Sequence, residues 1–241
     1  MLLPAFLVLQ GQNQVDDMGR KTGHWKELYP SGKTRSEADF VEGRPVGEMI
    51  RYYENGAVKA RMLFEATGNR SHARLYYENG KKAADGLYKN QVKDSVWTYY
   101  SEFDGSVRIR EEYQEGKREG MSQSYYPGGE ISEEVQWKQN LKDGFWKQYY
   151  VNGIPRLSGH YEKGKLQGSY ELYFSDGDIK IKGSYLNNRS HGTWLFYDEN
   201  GKEIFQLEYV NGTPADWDKY NIWIQDTLNK YIPISEPDYL Q

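Results

Sequence analysis

Aromatic and polar residues alternate between glycines along this chain, and the pattern returns about every 24 residues. The cleanest copy, residues 144–153, reads Gly-Phe-Trp-Lys-Gln-Tyr-Tyr-Val-Asn-Gly. The pattern Gly-x-Trp-x-x-Tyr-Tyr-x-Asn-Gly has eight copies, which lead at Gly23, Gly47, Ser71, Asp94, Gly120, Gly144, Gly168 and Gly192. A fixed period in this range indicates a repeat architecture, in which each unit packs on its neighbours.

Each copy predicts one β-hairpin, because apolar and polar residues alternate on either side of a turn signal. Pairs such as Asn152-Gly153 favour a two-residue type I′ turn, in which both central residues have positive φ. A second, looser connection, for example Lys163-Gly164-Lys165, is expected between copies. The expected fold is therefore all-β. It is an elongated single-layer antiparallel sheet of eight serial β-hairpin repeats of about 24 residues, with a short C-terminal capping helix.

The predicted turn also fixes which residues face each other across a hairpin. Trp146 falls opposite Gly159 and Tyr170 falls opposite Gly183, so that a large ring covers the exposed backbone of a strand glycine. This face of the sheet is expected to be apolar and packed. The opposite face is expected to be wet and of mixed polarity.

On the wet face, a tyrosine is predicted opposite a basic residue in four copies, which would place a cation over each ring. These pairs and one tryptophan form a candidate binding surface: Tyr52 with Lys59, Tyr99 with Arg108, Tyr149 with Arg156, Tyr173 with Lys180, and Trp97. Copies three and four are irregular, since Ala73 and Val96 stand at the tryptophan position and Trp97 lies out of phase. Drift within a tolerant array explains this irregularity more simply than a specialised site.

The two ends of the chain differ from the repeat domain, which is expected over residues 15–212. Residues 1–14 contain the apolar segment 2–9, which favours a truncated signal peptide over a short strand ahead of the first repeat. Export to the periplasm, the cell surface or the medium is therefore expected, with a cytoplasmic location as the alternative.

Residues 213–241 predict a short amphipathic helix. Thr213 is expected as the N-cap, with Pro214 at the first helical position. Apolar residues then recur at helical spacing until Pro233, at Trp217, Tyr220, Ile224, Leu228 and Tyr231. Such a helix would cover the open end of the last hairpin, because an unprotected strand edge invites aggregation.

Composition and motifs argue against several functional classes. With 31 Lys and Arg against 35 Asp and Glu, the chain lacks the basic excess of a nucleic-acid-binding protein. It has no cysteine, which removes thiolate metal sites and cysteine nucleophiles. Its four histidines fall in different copies: His24, His72, His160 and His191. We therefore expect no enzymatic activity, no metal and no cofactor.

The repeated Gly-x-Trp-x-x-Tyr-Tyr-x-Asn-Gly, followed by an aromatic residue and Gly-Lys-x-x-Gly, resembles the MORN-repeat variant of bacterial antitoxin-like repeat proteins. The resemblance extends from about Gly23 to Gly212. It implies a serial β-hairpin sheet that acts as a scaffold in contact with protein or lipid. Choline-binding cell-wall repeats are more loosely similar, but the longer period and the Asn-Gly turns favour the first family.

Two functions remain open at this point. The first is a non-enzymatic scaffold for protein–protein interaction with an unidentified protein partner, with an antitoxin-like role as one form of it. Tyr, Trp and Arg are enriched at interface hot spots, which favours this function. The alternative is a module that binds an envelope polysaccharide or a membrane surface through exposed aromatic residues.

Overall fold

The computed structural model describes residues 12–227, in which nineteen strands form one open antiparallel sheet and a single short helix follows. This confirms the predicted all-β hairpin sheet and the short C-terminal helix. The described residues divide into two compact units, residues 12–131 with 137–140, and residues 132–136 with 141–227. The predicted signal peptide covers residues 1–14, of which residues 1–11 lie outside the described residues, as do the predicted helical positions Leu228, Tyr231 and Pro233.

The first unit contains ten complete strands. They are β1 Gln14–Val15, β2 Lys21–Leu28, β3 Thr34–Val41, β4 Arg44–Tyr52, β5 Val58–Phe64, β6 Arg70–Tyr76, β7 Lys82–Lys89, β8 Val92–Tyr100, β9 Val107–Gln114 and β10 Lys117–Tyr125. Each of these strands pairs with the next along the chain. Strand β11, Ile131–Lys138, has residues in both units.

The second unit contains the remaining eight strands and the helix. They are β12 Leu141–Tyr149, β13 Pro155–Glu162, β14 Lys165–Leu166, β15 Gly168–Tyr173, β16 Ile179–Leu186, β17 Arg189–Tyr197, β18 Glu203–Val210, β19 Thr213–Pro214 and α1 Trp217–Thr227. Pairing again joins neighbours along the chain, and β13 pairs with both β14 and β15.

In seven of the eight hairpins the turn is a three-residue turn rather than the predicted two-residue type I′ turn, and the fourth hairpin has the longer loop 102–105. In the cleanest repeat, the Gly153 N–H donates to the Tyr150 carbonyl and the Tyr150 N–H donates to the Ile154 carbonyl, both at 2.9 Å. Of the Asn152-Gly153 pair, only the glycine has positive φ, at 81°. This is the type I turn that ends in a left-handed glycine and forms a bulge. The Asn152 side chain instead accepts the Ile154 N–H at 3.1 Å, a usual role of Asn in turns.

Except at residues 65–70, the connections between repeats are the tight ones. Lys163 and Gly164 both have positive φ, at 49° and 82°, and the flanking Glu162 and Lys165 pair directly. Positive φ at both central residues is the requirement of a type I′ turn, whose twist matches that of the strands it joins. The sequence reasoning therefore assigned the two kinds of turn the wrong way round.

In the sixth and seventh repeats, the bulge changes the pairing only at the last residue of the hairpin. Trp146 pairs with Gly159 and Tyr170 with Gly183, as predicted. The four predicted tyrosine–basic pairs are wrong: Tyr52 pairs with Val58, Tyr99 with Ile109, Tyr149 with Pro155 and Tyr173 with Ile179. The predicted partners have no paired residue on the opposite strand, because each is the extra residue of its bulge. They are Lys59, Arg108, Arg156 and Lys180.

Rings lie over strand glycines on the buried face. A Cβ added to Gly159 would lie 3.3 Å from Cε3 of Trp146, and one added to Gly183 would collide with the Trp194 ring. Trp194 is on β17, so the ring that covers Gly183 most closely comes from the next repeat and not from Tyr170 across the hairpin. The rings thus join neighbouring hairpins as well as the two strands of one hairpin.

Trp97 occupies the same structural position in the fourth repeat. Ser95 has a φ of 59° and pairs with Tyr113, as the leading glycine of the sixth repeat pairs with its own tyrosine. The Trp97 ring covers Gly86 and is 0% exposed. The prediction that Trp97 lies out of phase is wrong, because this repeat begins one residue later than the sequence pattern indicated.

In the first, second, third and sixth repeats, the second tyrosine position links the repeat to the next. Its hydroxyl donates to the backbone carbonyl of a residue 23 positions further along the chain. The bonds run from Tyr29 to Tyr52 (2.7 Å), Tyr53 to Tyr76 (2.8 Å), Tyr77 to Tyr100 (2.8 Å) and Tyr150 to Tyr173 (2.7 Å). This contact accounts for the phenol at this position in those four repeats.

The C-terminal helix packs on the aromatic rings of the last hairpin. Its N-cap is Asp216, whose side chain accepts the Lys219 N–H at 2.9 Å, and not Thr213 as predicted. Thr213 still belongs to the sheet, because the preceding tight turn continues the chain into β19. Trp223 is buried, with its ring centroid 5.1 Å from that of Phe196.

The hydroxyl link between repeats predicts a specific stability loss. Tyr77→Phe removes the bond to the Tyr100 carbonyl, so we expect a decrease of about 0.5–1.5 kcal/mol in the free energy of unfolding. Tyr76→Phe is the matched control, because the Tyr76 hydroxyl has no hydrogen bond to a described residue. Urea unfolding checks the difference, and equal midpoints for the two variants would contradict the role of the hydroxyl.

Two glycine substitutions in the second unit should differ in cost. Gly183→Ala forces a methyl group into the Trp194 ring, and overpacking of this kind costs about 1–3 kcal/mol. Gly159→Ala should cost less, because its added carbon lies 3.3 Å from the nearest atom of Trp146 and needs only a small shift. Thermal unfolding of both variants gives the order, and a larger loss at Gly159 would refute it.

Candidate functional site

The tryptophan position of the repeat is not filled by a ring throughout the first unit. Its first four occupants are Trp25, Met49, Ala73 and Trp97. Trp25 pairs with Ala38 across its hairpin, whereas Met49 pairs with Met62. Two flexible thioethers therefore stand where the first repeat has an indole and a small residue.

A groove opens on this face where the indole is missing. Two cavities of about 840 Å³ and 440 Å³ share Lys21, Phe40, Met49, Arg51 and Lys59 in their walls. We call the two together the methionine groove. Its other apolar and aromatic walls come from Trp25, Tyr29, Ala38, Tyr53, Ala60, Met62, Phe64, Leu75, Tyr76, Tyr77, Ala83 and Tyr88.

In the first, fourth and sixth repeats, a lysine lies over the tryptophan ring. Lys21 Nζ is 4.4 Å from the centroid of Trp25, and Lys93 and Lys142 lie 4.9 and 5.6 Å from the centroids of Trp97 and Trp146. Each cation precedes its tryptophan by four residues. The equivalent positions before Met49 and Ala73 hold Pro45 and Asn69, both of which line the groove. The second and third repeats therefore lack both the ring and its cationic cover.

The methionine groove is basic in a chain that is acidic as a whole. The charged side chains that line it give a local charge of +3. They are the basic residues Lys21, Arg35, Arg51 and Lys59 and the acidic residue Glu27. The whole chain carries −4. The groove therefore has the opposite charge to the rest of the protein.

Glu27 is already neutralised by its neighbours. Arg35 donates to its carboxylate at 2.8 Å, Lys21 at 3.2 Å and Ser36 at 3.1 Å, and these bonds lower the pKa of Glu27 to about 2. Arg51 and Lys59 have no ion pair with a carboxylate in residues 12–227. Lys59 Nζ lies 5.2 Å from the Tyr53 ring centroid. Two cations in the groove are thus open to an anionic ligand.

The predicted site residues of the fourth repeat lie in a half-buried polar cluster. Lys93 Nζ donates to the Tyr99 hydroxyl at 2.5 Å, and the Tyr99 and Tyr113 hydroxyls lie 3.4 Å apart. Tyr113 in turn donates to Glu111 at 2.6 Å. Burial raises the pKa of Tyr99 and lowers the pKa of Lys93. Trp97 lies fully buried beside this cluster and offers no surface to a ligand.

The other predicted site residues are spread over both units. Lys59 lines the methionine groove, and Tyr52 lines its smaller cavity. The hydroxyls of the first tyrosines donate to glutamates: Tyr52 to Glu37 (2.5 Å), Tyr149 to Glu134 (2.7 Å) and Tyr173 to Glu171 (2.6 Å). Arg108 and Arg156 are partly buried, and Lys180 lies over Phe174 with Nζ 5.3 Å from the ring centroid. The predicted surface is therefore not one continuous site.

The sequence pattern did not predict the groove, because the groove is marked only by residues that replace the tryptophan of the repeat. Met49 and Ala73 interrupt the tryptophan position in consecutive copies, and this interruption is visible in the sequence. Arg51 stands two residues after Met49 on the same face and could have been noted with it. What the sequence could not show is that Lys59 turns to this face at a bulge.

In residues 12–227, no three His, Asp or Glu side chains lie close enough together to hold a metal ion. Over the same range, no helix has the length and apolar character that crossing a membrane requires.

The tyrosine–glutamate bonds predict a loss of stability at alkaline pH. The pKa of Tyr52 is raised from 10.0 to about 12 by its bond to Glu37, and that of Tyr149 is raised to about 12 by burial and by Glu134. A raised folded-state pKa stabilises the fold fully below pH 10, and the contribution is lost as the pH rises towards 12. Circular dichroism and tyrosinate absorbance should change together in this window. Complete tyrosine titration near pH 10 with the sheet intact would contradict the prediction.

Comparison with known proteins identifies the repeats. Six segments match the family model described as MORN repeat variant: residues 21–42, 45–66, 72–90, 118–139, 166–187 and 190–211. Together they cover more than half of the chain, and the first three include most of the methionine groove. No curated protein matches the chain.

Proposed function

Because the chain belongs to the MORN repeat variant family, we propose that it is a non-enzymatic scaffold that binds another protein through the methionine groove. MORN repeats are generally associated with scaffolds that bind proteins or membranes. That general association leaves the ligand and the binding surface open. The groove supplies a specific surface for the proposal.

The observation that carries the proposal is the paired loss of ring and cation at the second and third repeats. A sheet that only needed to be stable would keep Trp25-like packing there, since a covered ring adds buried apolar area. Met49 and Met62 instead leave an open apolar floor beside Arg51 and Lys59. Methionine adapts its shape to a ligand and is common at binding surfaces.

The same geometry favours a protein over a polysaccharide or a membrane. Sugar rings stack on open aromatic faces, whereas rings such as Trp97 and Trp146 are buried under lysines and neighbouring rings. Attraction to anionic lipid usually needs a cluster of about four to eight basic residues. The groove has four, of which Lys21 and Arg35 are engaged by Glu27. Export remains part of the proposal and rests on the apolar residues 2–9.

Site-specific crosslinking tests this function, because the chain has no cysteine of its own. Met49→Cys places a photo-crosslinker in the groove, and Arg74→Cys places one on the opposite, polar face of β6. We expect a discrete protein adduct from cells of the source organism with the first variant and none with the second. Equal labelling of both variants would contradict a groove-specific partner.

Two further measurements separate the alternatives. The purified chain is mixed with vesicles of anionic phospholipid and with envelope polysaccharide, and sedimentation measures binding. Binding to either material, without a protein adduct at position 49, would replace the scaffold proposal with the surface-binding alternative.

A further inference from the structure

We infer that the methionine groove binds an acidic peptide segment that carries apolar side chains beside its carboxylates. The inference rests on the proposed function and deepens it, because it names the chemistry of the partner. It follows from the charge of the groove, the free cations in its wall and the character of its floor.

Charge complementarity is the first argument. The groove carries +3 in a chain of net charge −4, so a basic or neutral segment gains nothing electrostatically by entering it, whereas an acidic segment is attracted. Glu27 cannot attract a basic ligand effectively, because Arg35 and Lys21 already hold its carboxylate. The selectivity of the groove should therefore be for anions.

The position of the free cations is the second argument. Arg51 follows Met49 by two residues on β4. Lys59 is the bulge residue of β5 and directly precedes Ala60. The planar guanidinium of Arg51 is suited to bidentate contact with a carboxylate, and no described carboxylate occupies it. Lys59 adds a second cation in both cavities. Two carboxylates of one segment could be bound at once.

The apolar floor is the third argument. Beside the cations, the groove presents Met49, Met62, Phe64 and Leu75, whose exposed apolar surface would be buried by apolar side chains of a ligand. A small inorganic anion would leave this floor exposed to water. A segment that alternates acidic and apolar residues satisfies the cations and the floor together.

A selection of random peptides displayed on phage tests this inference with the full chain immobilised. Peptides that are retained should be enriched in Asp and Glu together with Leu, Phe or Met. Their synthetic copies are then titrated by fluorescence polarisation, and binding should weaken as salt is raised, because the contacts are ionic and partly exposed.

Three variants locate the binding. Arg51→Glu combined with Lys59→Glu should weaken the selected peptides by tenfold or more. Met49→Trp combined with Met62→Ala rebuilds the Trp25–Ala38 pair of the first repeat in the groove, and should weaken them similarly while the thermal unfolding transition is kept. Arg74→Glu reverses a charge on the opposite face and should leave the affinity unchanged.

The outcomes distinguish this inference from the proposed function beneath it. If the selected peptides are neutral or basic, and the rebuilt Trp–Ala pair weakens their binding, the acidic-segment inference is refuted. The proposal that the groove binds another protein would still hold. Peptides that bind all three variants equally, or no retained peptide at all, would refute the acidic-segment inference. Binding of anionic vesicles that the same variants abolish would refute both proposals.

Discussion

The packing of a large ring over a glycine or alanine of a neighbouring strand is the contact on which this sheet depends. Trp97 over Gly86, Trp146 over Gly159 and Trp194 over Gly183 each bury an indole against bare backbone. A glycine normally weakens a strand, but here its missing side chain provides the space that the ring fills. Because the ring comes from an adjacent strand, the same contact joins neighbouring hairpins and gives the face its apolar cover.

In the groove, this contact is absent. Met49 faces Met62 without a covering indole, and the lysine that would lie over the indole is replaced by Pro45. The surrounding hairpins still pair regularly, since the hydrogen bonds of β4 with β5 and of β5 with β6 do not depend on the ring. The repeat architecture thus keeps its backbone while one stretch of its surface becomes available to a ligand.

The period, the hairpins and the ring–glycine pairs follow from the sequence, because Gly144, Trp146 and Tyr161 recur at fixed spacing around a turn signal. The turn type does not follow, since Asn-Gly suits both a type I′ turn and a type I turn with a glycine bulge. In the second, sixth and seventh repeats, that difference of one residue removed the predicted tyrosine–basic pair. It also moved Lys59 from the proposed wet face to the groove.

Other features depend on which atoms a side chain contacts in the folded chain, and a repeated residue pattern does not predict these contacts. The Tyr77 hydroxyl bonds a carbonyl one repeat away, and Asp216 caps a helix that sequence reasoning began at Thr213. The groove was visible only as a gap at Met49 and Ala73. Without the bulge geometry, that gap was interpreted as drift.

The bond that joins the second tyrosine of four repeats to a backbone carbonyl has a consequence for how such a chain can change. Every residue has a carbonyl, so the link does not depend on which side chain the neighbouring repeat carries at that position. Mutations that alter the surface of one repeat therefore leave the bond to its neighbour intact. Duplication, loss or replacement of single hairpins is consequently compatible with the fold, and a lineage can acquire a new binding face one unit at a time.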